Sequence, residues 1–83
     1  MHYKFNAMEP TTGFGKWLYT KMYERGMSCS DVAKQLHITR QAIRVHLNGE
    51  HPPKFPFVVA YCWLFNDDPN RVWKLVEKDM TPG

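Results

Sequence analysis

Three side chains near the middle of the chain carry hydrogen-bonding groups that can identify a base pair. Arg40, Gln41 and Arg44 lie close enough in sequence to share one side of a helix. An arginine can donate two hydrogen bonds to O6 and N7 of guanine, and a glutamine can pair with N6 and N7 of adenine. The neighbouring Val45 offers methyl groups that can pack on a thymine methyl. These residue types predict a helix that contacts base edges in DNA.

The segment that positions them, residues 28–48, is predicted to form two short helices joined by a tight turn. Ser28 begins the first helix, with Asp31 three residues on as in a capping box, and the helix ends near Leu36. His37 and Ile38 make the turn. Thr39 caps a second helix over about residues 40–48, which Asn48-Gly49 ends.

A helix-turn-helix needs particular residues at its joints, and the chain supplies them. Ala33 is small enough for the two helices to cross closely, and Ile38 is predicted to be a buried plug in the turn. Ile43 and Leu47, spaced by four residues, anchor the back of the second helix to the core. The front of that helix is left polar, as a helix in the major groove requires.

These residues resemble the Cro/repressor-type helix-turn-helix of the lambda-repressor-like (XRE) family. The matching segments are Arg25-Gly26-Met27-Ser28, Val32-Ala33-Lys34-Gln35-Leu36, Thr39-Arg40-Gln41-Ala42-Ile43, Leu47-Asn48-Gly49 and Pro52-Pro53-Lys54-Phe55-Pro56. The resemblance covers about residues 12–78. Three positions depart from the pattern. His37 replaces the usual glycine of the turn, so its backbone needs a left-handed or readjusted conformation. Cys29 replaces a common glutamine, and His46, expected to be partly buried, replaces an aromatic or aliphatic residue.

The resemblance implies that Arg40, Gln41, Arg44 and Val45 read bases. The predicted phosphate contacts flank that helix and are Ser28, Cys29, Thr39, Asn48 and Lys54. Ser28 and Cys29 are included because the N–H groups at a helix N-terminus bind anions. Asn48 and Lys54 resemble phosphate contacts of the family. The alternative for each of these residues is an ordinary solvated surface, and for Thr39 a capping role alone.

The remaining sequence predicts an all-α, lambda-repressor-like domain of four to five helices over residues 12–79. An N-terminal arm, residues 1–11, precedes it and contains a strand-like stretch at 2–5, and a tail, residues 80–83, follows it. The first helix spans about 12–25, capped by Thr11 or Thr12 and ended by Gly26. The fourth spans 56–66, and the fifth spans 69–79 and is capped by Asp68-Pro69. Predicted inward residues of these helices are Phe14, Leu18, Met22; Val58, Val59, Cys62, Trp63, Phe65; and Val72, Leu75, Val76. Trp17, Trp63 and the phenylalanines are predicted to be core. A second stripe of Trp73, Val76 and Met80 is a candidate dimer contact.

Composition narrows the function classes. The 83 residues suffice for one domain, and no apolar run approaches the roughly 20 residues of a membrane span. The first ten residues lack the apolar region of a signal peptide. The net charge of +3 suits phosphate contacts but also an ordinary surface. Cys29 and Cys62 are expected to be reduced thiols, and no metal or cofactor is expected because the Cys and His spacing matches no zinc motif.

We therefore expect a cytoplasmic, sequence-specific DNA-binding regulator, similar to a small phage or bacterial Cro-like repressor. It would bind a palindromic operator in double-stranded DNA as a homodimer, because half-sites one helical turn apart mirror a two-fold axis. No small-molecule ligand and no enzymatic activity are expected. The alternative is an antitoxin-like module whose main role is to bind a partner protein. High salt distinguishes the two, since DNA binding fades there.

Overall fold

A computed structural model describes residues 10–81 of the protein, and this part of the chain is all-α. Its five helices run in the order α1 (Gly13–Arg25), α2 (Cys29–Leu36), α3 (Arg40–Asn48), α4 (Phe55–Phe65) and α5 (Pro69–Met80). The fold class expected from the sequence is confirmed, and the helix bounds agree with the predicted ones to about one residue. The predictions for residues 1–9, including the strand-like stretch, and for residues 82–83 lie outside the described residues.

Side chains cap the helices where the sequence indicated. Thr12 accepts a hydrogen bond from the Gly15 N–H at 2.9 Å and begins α1. Asp68 accepts the N–H of Asn70 at 2.9 Å and begins α5. Gly26 ends α1 in the left-handed region with φ 63°, a conformation that glycine adopts without steric penalty. These local signals explain why the bounds were predictable.

The core lies between the inner faces of all five helices. Phe14, Leu18 and Met22 form the predicted stripe of α1 and are buried, and Trp17 packs half-buried beside them. The other buried apolar residues are Val32, Ala33, Ile43, Leu47, Val58, Tyr61, Cys62, Phe65, Val72 and Val76. The largest fully buried side chain is Tyr61, which the sequence did not place in the core. Leu75 is half-buried, on the edge of the α5 face.

The predicted burial of α4 was wrong at three positions. Trp63 is 73% exposed, Phe55 41% and Val59 40%. Both tryptophan and phenylalanine are usually buried, and α4 is apolar on every side, so its sequence carries no polar stripe to show which face meets solvent. The structure confirms the predicted burial of Val58, Cys62 and Phe65 and turns Tyr61 inward beside them.

Two carboxylates join parts of the chain that are distant in sequence. Asp79, near the end of α5, accepts the N–H groups of Gly13 and Phe14 at 2.7 and 2.9 Å and so caps the start of α1. Asp67 accepts hydrogen bonds from the Trp17 indole at 2.9 Å and from Arg71. These bonds tie α1 to both ends of α5.

Gly15 lets α1 approach the C-terminal end of α3. A Cβ atom at this position would lie 2.5 Å from the Leu47 carbonyl oxygen and 2.9 Å from Thr12 Oγ1. Only a residue without a side chain fits between these two atoms, and the first of them belongs to rigid helix backbone. The contact fixes where α3 sits on the rest of the domain.

Candidate nucleic-acid interface

The α2–turn–α3 segment has the local geometry that the sequence predicted. His37 ends α2 in the left-handed region, with φ 57° and ψ 42°, which confirms the conformation expected for a residue in a glycine position. The Ile38 N–H returns to the Ala33 carbonyl at 3.1 Å. Thr39 then begins α3 by accepting the Ala42 N–H at 3.1 Å. Ala33 is buried, and Ile38 is half-buried rather than fully buried.

The two sides of α3 differ sharply. Ile43 and Leu47 are buried on one side, as the sequence predicted. Arg40, Gln41 and Arg44 are exposed on the other side, and Val45 is half-buried at its edge. The helix is therefore held by its back while three long polar side chains face solvent, the arrangement that reading of base edges requires.

The guanidinium groups of this face are not neutralised within residues 10–81. The two ion pairs there both go to Asp67, from Lys21 at 3.9 Å and from Arg71 at 2.5 Å. The first turn of α3 carries no acidic residue, so the positive end of its helix dipole is also uncompensated. Arg40 and Arg44 thus present positive charge that a phosphodiester backbone can attract.

Ser28 and Asp31 form a capping box at the start of α2. The Asp31 N–H donates to Ser28 Oγ at 3.2 Å, and the Ser28 N–H donates to the Asp31 carboxylate at 2.9 Å. These two bonds lower the pKa of Asp31, so the carboxylate stays ionised at neutral pH. Its charge occupies the end of the helix where an anion would bind, which opposes a phosphate contact at Ser28. The N–H groups of Cys29 and Ser30 remain available there.

Cys29 lies close to the exposed arginines. Its pKa is raised by burial, and Arg44 and Arg40 oppose that rise through their charges. The thiol is half-buried and free, and stays protonated at neutral pH because its ordinary value of 9.0 is raised. The structure thereby brings the start of α2 and the outer face of α3 to one surface.

The other three predicted phosphate contacts differ in what their side chains already do. Thr39 Oγ1 accepts a hydrogen bond as a cap and keeps its hydroxyl proton for a further acceptor. Asn48 exchanges hydrogen bonds with Glu50, donating from Nδ2 at 3.3 Å and accepting the Glu50 N–H at 3.0 Å. A phosphate at Asn48 would have to displace that carboxylate. Lys54 is exposed at the start of α4 and makes no capping bond.

His46 is buried on the inner side of α3, where the sequence had placed it only partly. Its Nδ1 lies 2.7 Å from the Tyr61 hydroxyl oxygen, and its ring packs edge-on against Phe57 and Tyr61. Burial lowers the pKa of His46, with a smaller contribution from the nearby His51. Burial also raises the pKa of Tyr61. This pair was not predictable from the sequence, because the two residues are on different helices.

The predicted dimer stripe on α5 does not form one surface. Val76 is fully buried in the core of its own chain, so it is not available for a contact between chains. Trp73 is half-buried with its ring edge-on to Phe55, at 5.4 Å between centroids. Met80 is 50% exposed at the end of the helix.

No other chemical centre stands out in the described part of the chain. Residues 10–81 bring no three His, Cys, Asp or Glu side chains together in a way that could hold a metal ion. Cys62 is buried, and burial raises its pKa to about 11. Across the same span, every helix is too short or too polar to cross a membrane.

Comparison with known proteins finds one short similarity. The chain is 43% identical over 37 residues to a protein of Geobacillus stearothermophilus named "Putative transposase for insertion sequence element IS5376". The matched segment makes up 45% of this chain and 9% of that protein. No family model matches the chain, and no solved structure gives a significant match.

Proposed function

We propose that this protein binds double-stranded DNA in a sequence-specific manner, with α3 as the recognition helix in the major groove. The observation that carries the proposal is the outer face of α3. Arg40, Gln41 and Arg44 are exposed there, and neither arginine forms an ion pair within residues 10–81. The similarity to a protein named as a transposase supports DNA binding in general.

Each group on this surface has a separate role in the proposal. Arg40 and Arg44 donate to guanine, Gln41 pairs with adenine, and Val45 packs on a thymine methyl. Thr39 and Lys54 donate to phosphates on either side of α3, since a hydroxyl proton and an ammonium group are free to do so. Cys29 contributes its backbone N–H. Ser28 and Asn48 are weaker contacts because Asp31 and Glu50 lie beside them.

The biological role that we propose is transcription regulation by a Cro-like, XRE-type repressor of prokaryotic or phage origin. It acts in the cytoplasm, without catalysis or a small-molecule ligand, on a palindromic operator bound by a homodimer. The sequence resemblance in residues 25–56 supports this role, and two-fold symmetry gives one short recognition helix enough base pairs for useful specificity.

A second role for the same surface is favoured by the similarity to the protein of Geobacillus stearothermophilus. Its name places it with an insertion sequence element. The α2–turn–α3 segment of this chain would then recognise the DNA of such an element rather than an operator. Both roles use the same contacts of α3 with bases. They differ in where the bound sequence lies in a genome.

The test is binding of three single variants to a cognate duplex and to random DNA. Arg44→Ala is expected to weaken binding to the cognate site by about 1–3 kcal/mol and to relax one base preference. Lys54→Ala is expected to weaken binding to both DNAs alike and to reduce the salt slope by about one unit. Lys74→Ala, an exposed lysine on α5, removes the same charge and serves as the matched control.

Two results would refute the assignment. Equal losses on cognate and random DNA for Arg44→Ala would remove its base-reading role. Equal effects of Lys54→Ala and Lys74→Ala would show that the overall charge of the protein, not the surface around α3, attracts DNA. A tight complex with a partner protein that persists in high salt, with no selective DNA binding, would replace the proposal with the partner-binding alternative.

A further inference from the structure

One face of α4 is apolar and uncovered within residues 10–81. The helix carries no charged residue, and it buries Val58, Tyr61, Cys62 and Phe65. Phe55, Val59 and Trp63 follow one another at intervals of four residues on its other side, all exposed. A helix that is apolar on all sides is normally covered on all sides. This α4 stripe (Phe55, Val59, Trp63) therefore calls for a partner.

We propose that the partner is a second copy of this chain, packed with its α4 antiparallel to the first and with Val59 at the two-fold axis. The pairing supplies the dimer contact of the operator-binding dimer proposed above, and so rests on that proposal for its role on DNA. Self-association itself is independent of DNA and is measured without it.

The α4 stripe is symmetric about its middle residue. Phe55 and Trp63 lie four residues before and after Val59, or about 6 Å along the helix in each direction. In a two-fold contact, residue i of one chain meets residue j of the other and the reverse. Antiparallel pairing on Val59 thus sets Phe55 of each copy against Trp63 of the other, and Val59 against Val59.

Charges at the two ends of α4 favour the same orientation. Lys54 precedes the helix, and Asp67 and Asp68 follow its C-cap residue Asn66. A cation near the N-terminus and anions near the C-terminus oppose the dipole of their own helix. In the antiparallel pair, each Lys54 lies at the C-terminal end of the other α4, and each Asp68 at its N-terminal end. Lys54 then stabilises the dipole of the other α4 instead of opposing that of its own helix, while Asp68 keeps its role as the N-cap of α5.

Phe55 is held in place for this contact before any partner arrives. Its ring lies edge-on to Trp73, with 5.4 Å between the centroids. A side chain that is already ordered loses less conformational entropy on association. Trp73, which the sequence assigned to a dimer contact, takes part as the support of Phe55.

The test measures self-association of the full chain by sedimentation over micromolar to millimolar concentrations. The wild-type chain is expected to form a dimer, and Trp63→Glu to raise its dissociation constant at least about tenfold, because a buried tryptophan is a frequent hot spot. Met80→Glu, at an apolar site on α5 that is 50% exposed, is the control and should associate like the wild type. Lys54 is left unchanged because it is also a proposed phosphate contact. Circular dichroism confirms that both variants fold.

A cysteine cross-link tests the orientation. Val59→Cys places two thiols together at the axis in a parallel or an antiparallel pair, whereas Phe55→Cys does so only in a parallel pair, so mild oxidation should give a 59–59 disulfide and no 55–55 disulfide. Met80→Cys should give none faster than the native thiols do. A wild-type chain that stays monomeric, or a dimer broken by Met80→Glu and not by Trp63→Glu, would overturn the proposal. A dimer with no selective DNA binding would leave the pairing in place while refuting the proposed function.

Discussion

The buried pair of His46 and Tyr61 ties α3 to α4, and its removal gives the most direct prediction about stability. Tyr61→Phe deletes the hydroxyl that lies 2.7 Å from Nδ1 of His46. His46 is only 7% exposed, so water cannot readily replace the lost partner. A buried polar group left unsatisfied costs about 1–3 kcal/mol. In a domain of this size, each kcal/mol lowers Tm by about 4–8 °C.

A double-mutant cycle separates the hydrogen bond from general packing. His46→Leu alone leaves the Tyr61 hydroxyl without its partner, and the same penalty of about 1–3 kcal/mol applies. In the double variant no polar group is stranded, so its loss of stability should be smaller than the sum of the two single losses by about 1 kcal/mol or more. Urea unfolding at neutral pH measures all four proteins.

The pH dependence gives an independent readout of the same pair. Because burial lowers the pKa of His46 below 6.5, the unfolded chain binds a proton more readily than the folded one. Stability is then full above about pH 6.5 and falls as the pH drops, by at most about 1.4 kcal/mol per pH unit for one group. His46→Leu should lack this part of the slope between pH 7 and 5. An additive cycle together with identical slopes for wild type and His46→Leu would show that the bond between His46 and Tyr61 does not stabilise the fold.

Three further predictions concern stability. His37→Gly should stabilise the protein by up to about 1 kcal/mol in urea unfolding, because φ 57° is strained for histidine. Asn66→Gly is the control and should gain less stability, since asparagine tolerates the left-handed region. A gain for Asn66→Gly equal to or larger than that for His37→Gly would contradict this explanation. Arg71 and other donors lower the pKa of Asp67 to about 2. The ionised carboxylate therefore stabilises the fold above pH 3.8, and this stabilisation is lost as the pH falls toward 2. Acid titration of Asp67→Asn should lack that loss of stability, and an acid midpoint unchanged from that of the wild type would count against it. Asp79→Ala should destabilise the protein by about 0.5–2 kcal/mol, because it removes the cap of α1. Glu77→Ala, at an exposed position on the same helix, is the control and should change the stability by nearly zero in thermal unfolding. Equal losses of stability in the two variants would refute the capping role of Asp79.

The elements that the sequence predicted well are those fixed by local chemistry. Four capping side chains each accept a hydrogen bond from a backbone N–H two or three residues further on: Thr12, Ser28, Thr39 and Asp68. Because these bonds are local, the caps can be predicted without knowledge of the tertiary structure. The left-handed backbone at His37 followed from the family resemblance, which has a glycine at this position. The amphipathic pattern of α3 likewise separates Ile43 and Leu47 from the polar front.

The features that escaped prediction depend on contacts between helices. Nothing near Asp79 in sequence shows that it caps α1. The exposure of Trp63 and the burial of Tyr61 follow from how α4 is rotated on its neighbours, and an apolar pattern on every side of α4 leaves that rotation undetermined. Val76 was predicted on a dimer surface for the same reason. The sequence of α5 does not show which of its apolar residues pack against the neighbouring helices, and Val76 is buried among them.

The first measurement on DNA is the selection of bound sequences from a random duplex pool, with the mass of the complex recorded. Enrichment of a palindromic consensus bound by two chains is expected, and Arg44→Ala should lose the enrichment. No enrichment above random DNA by the folded wild-type protein would contradict the assignment of α3 as a recognition helix.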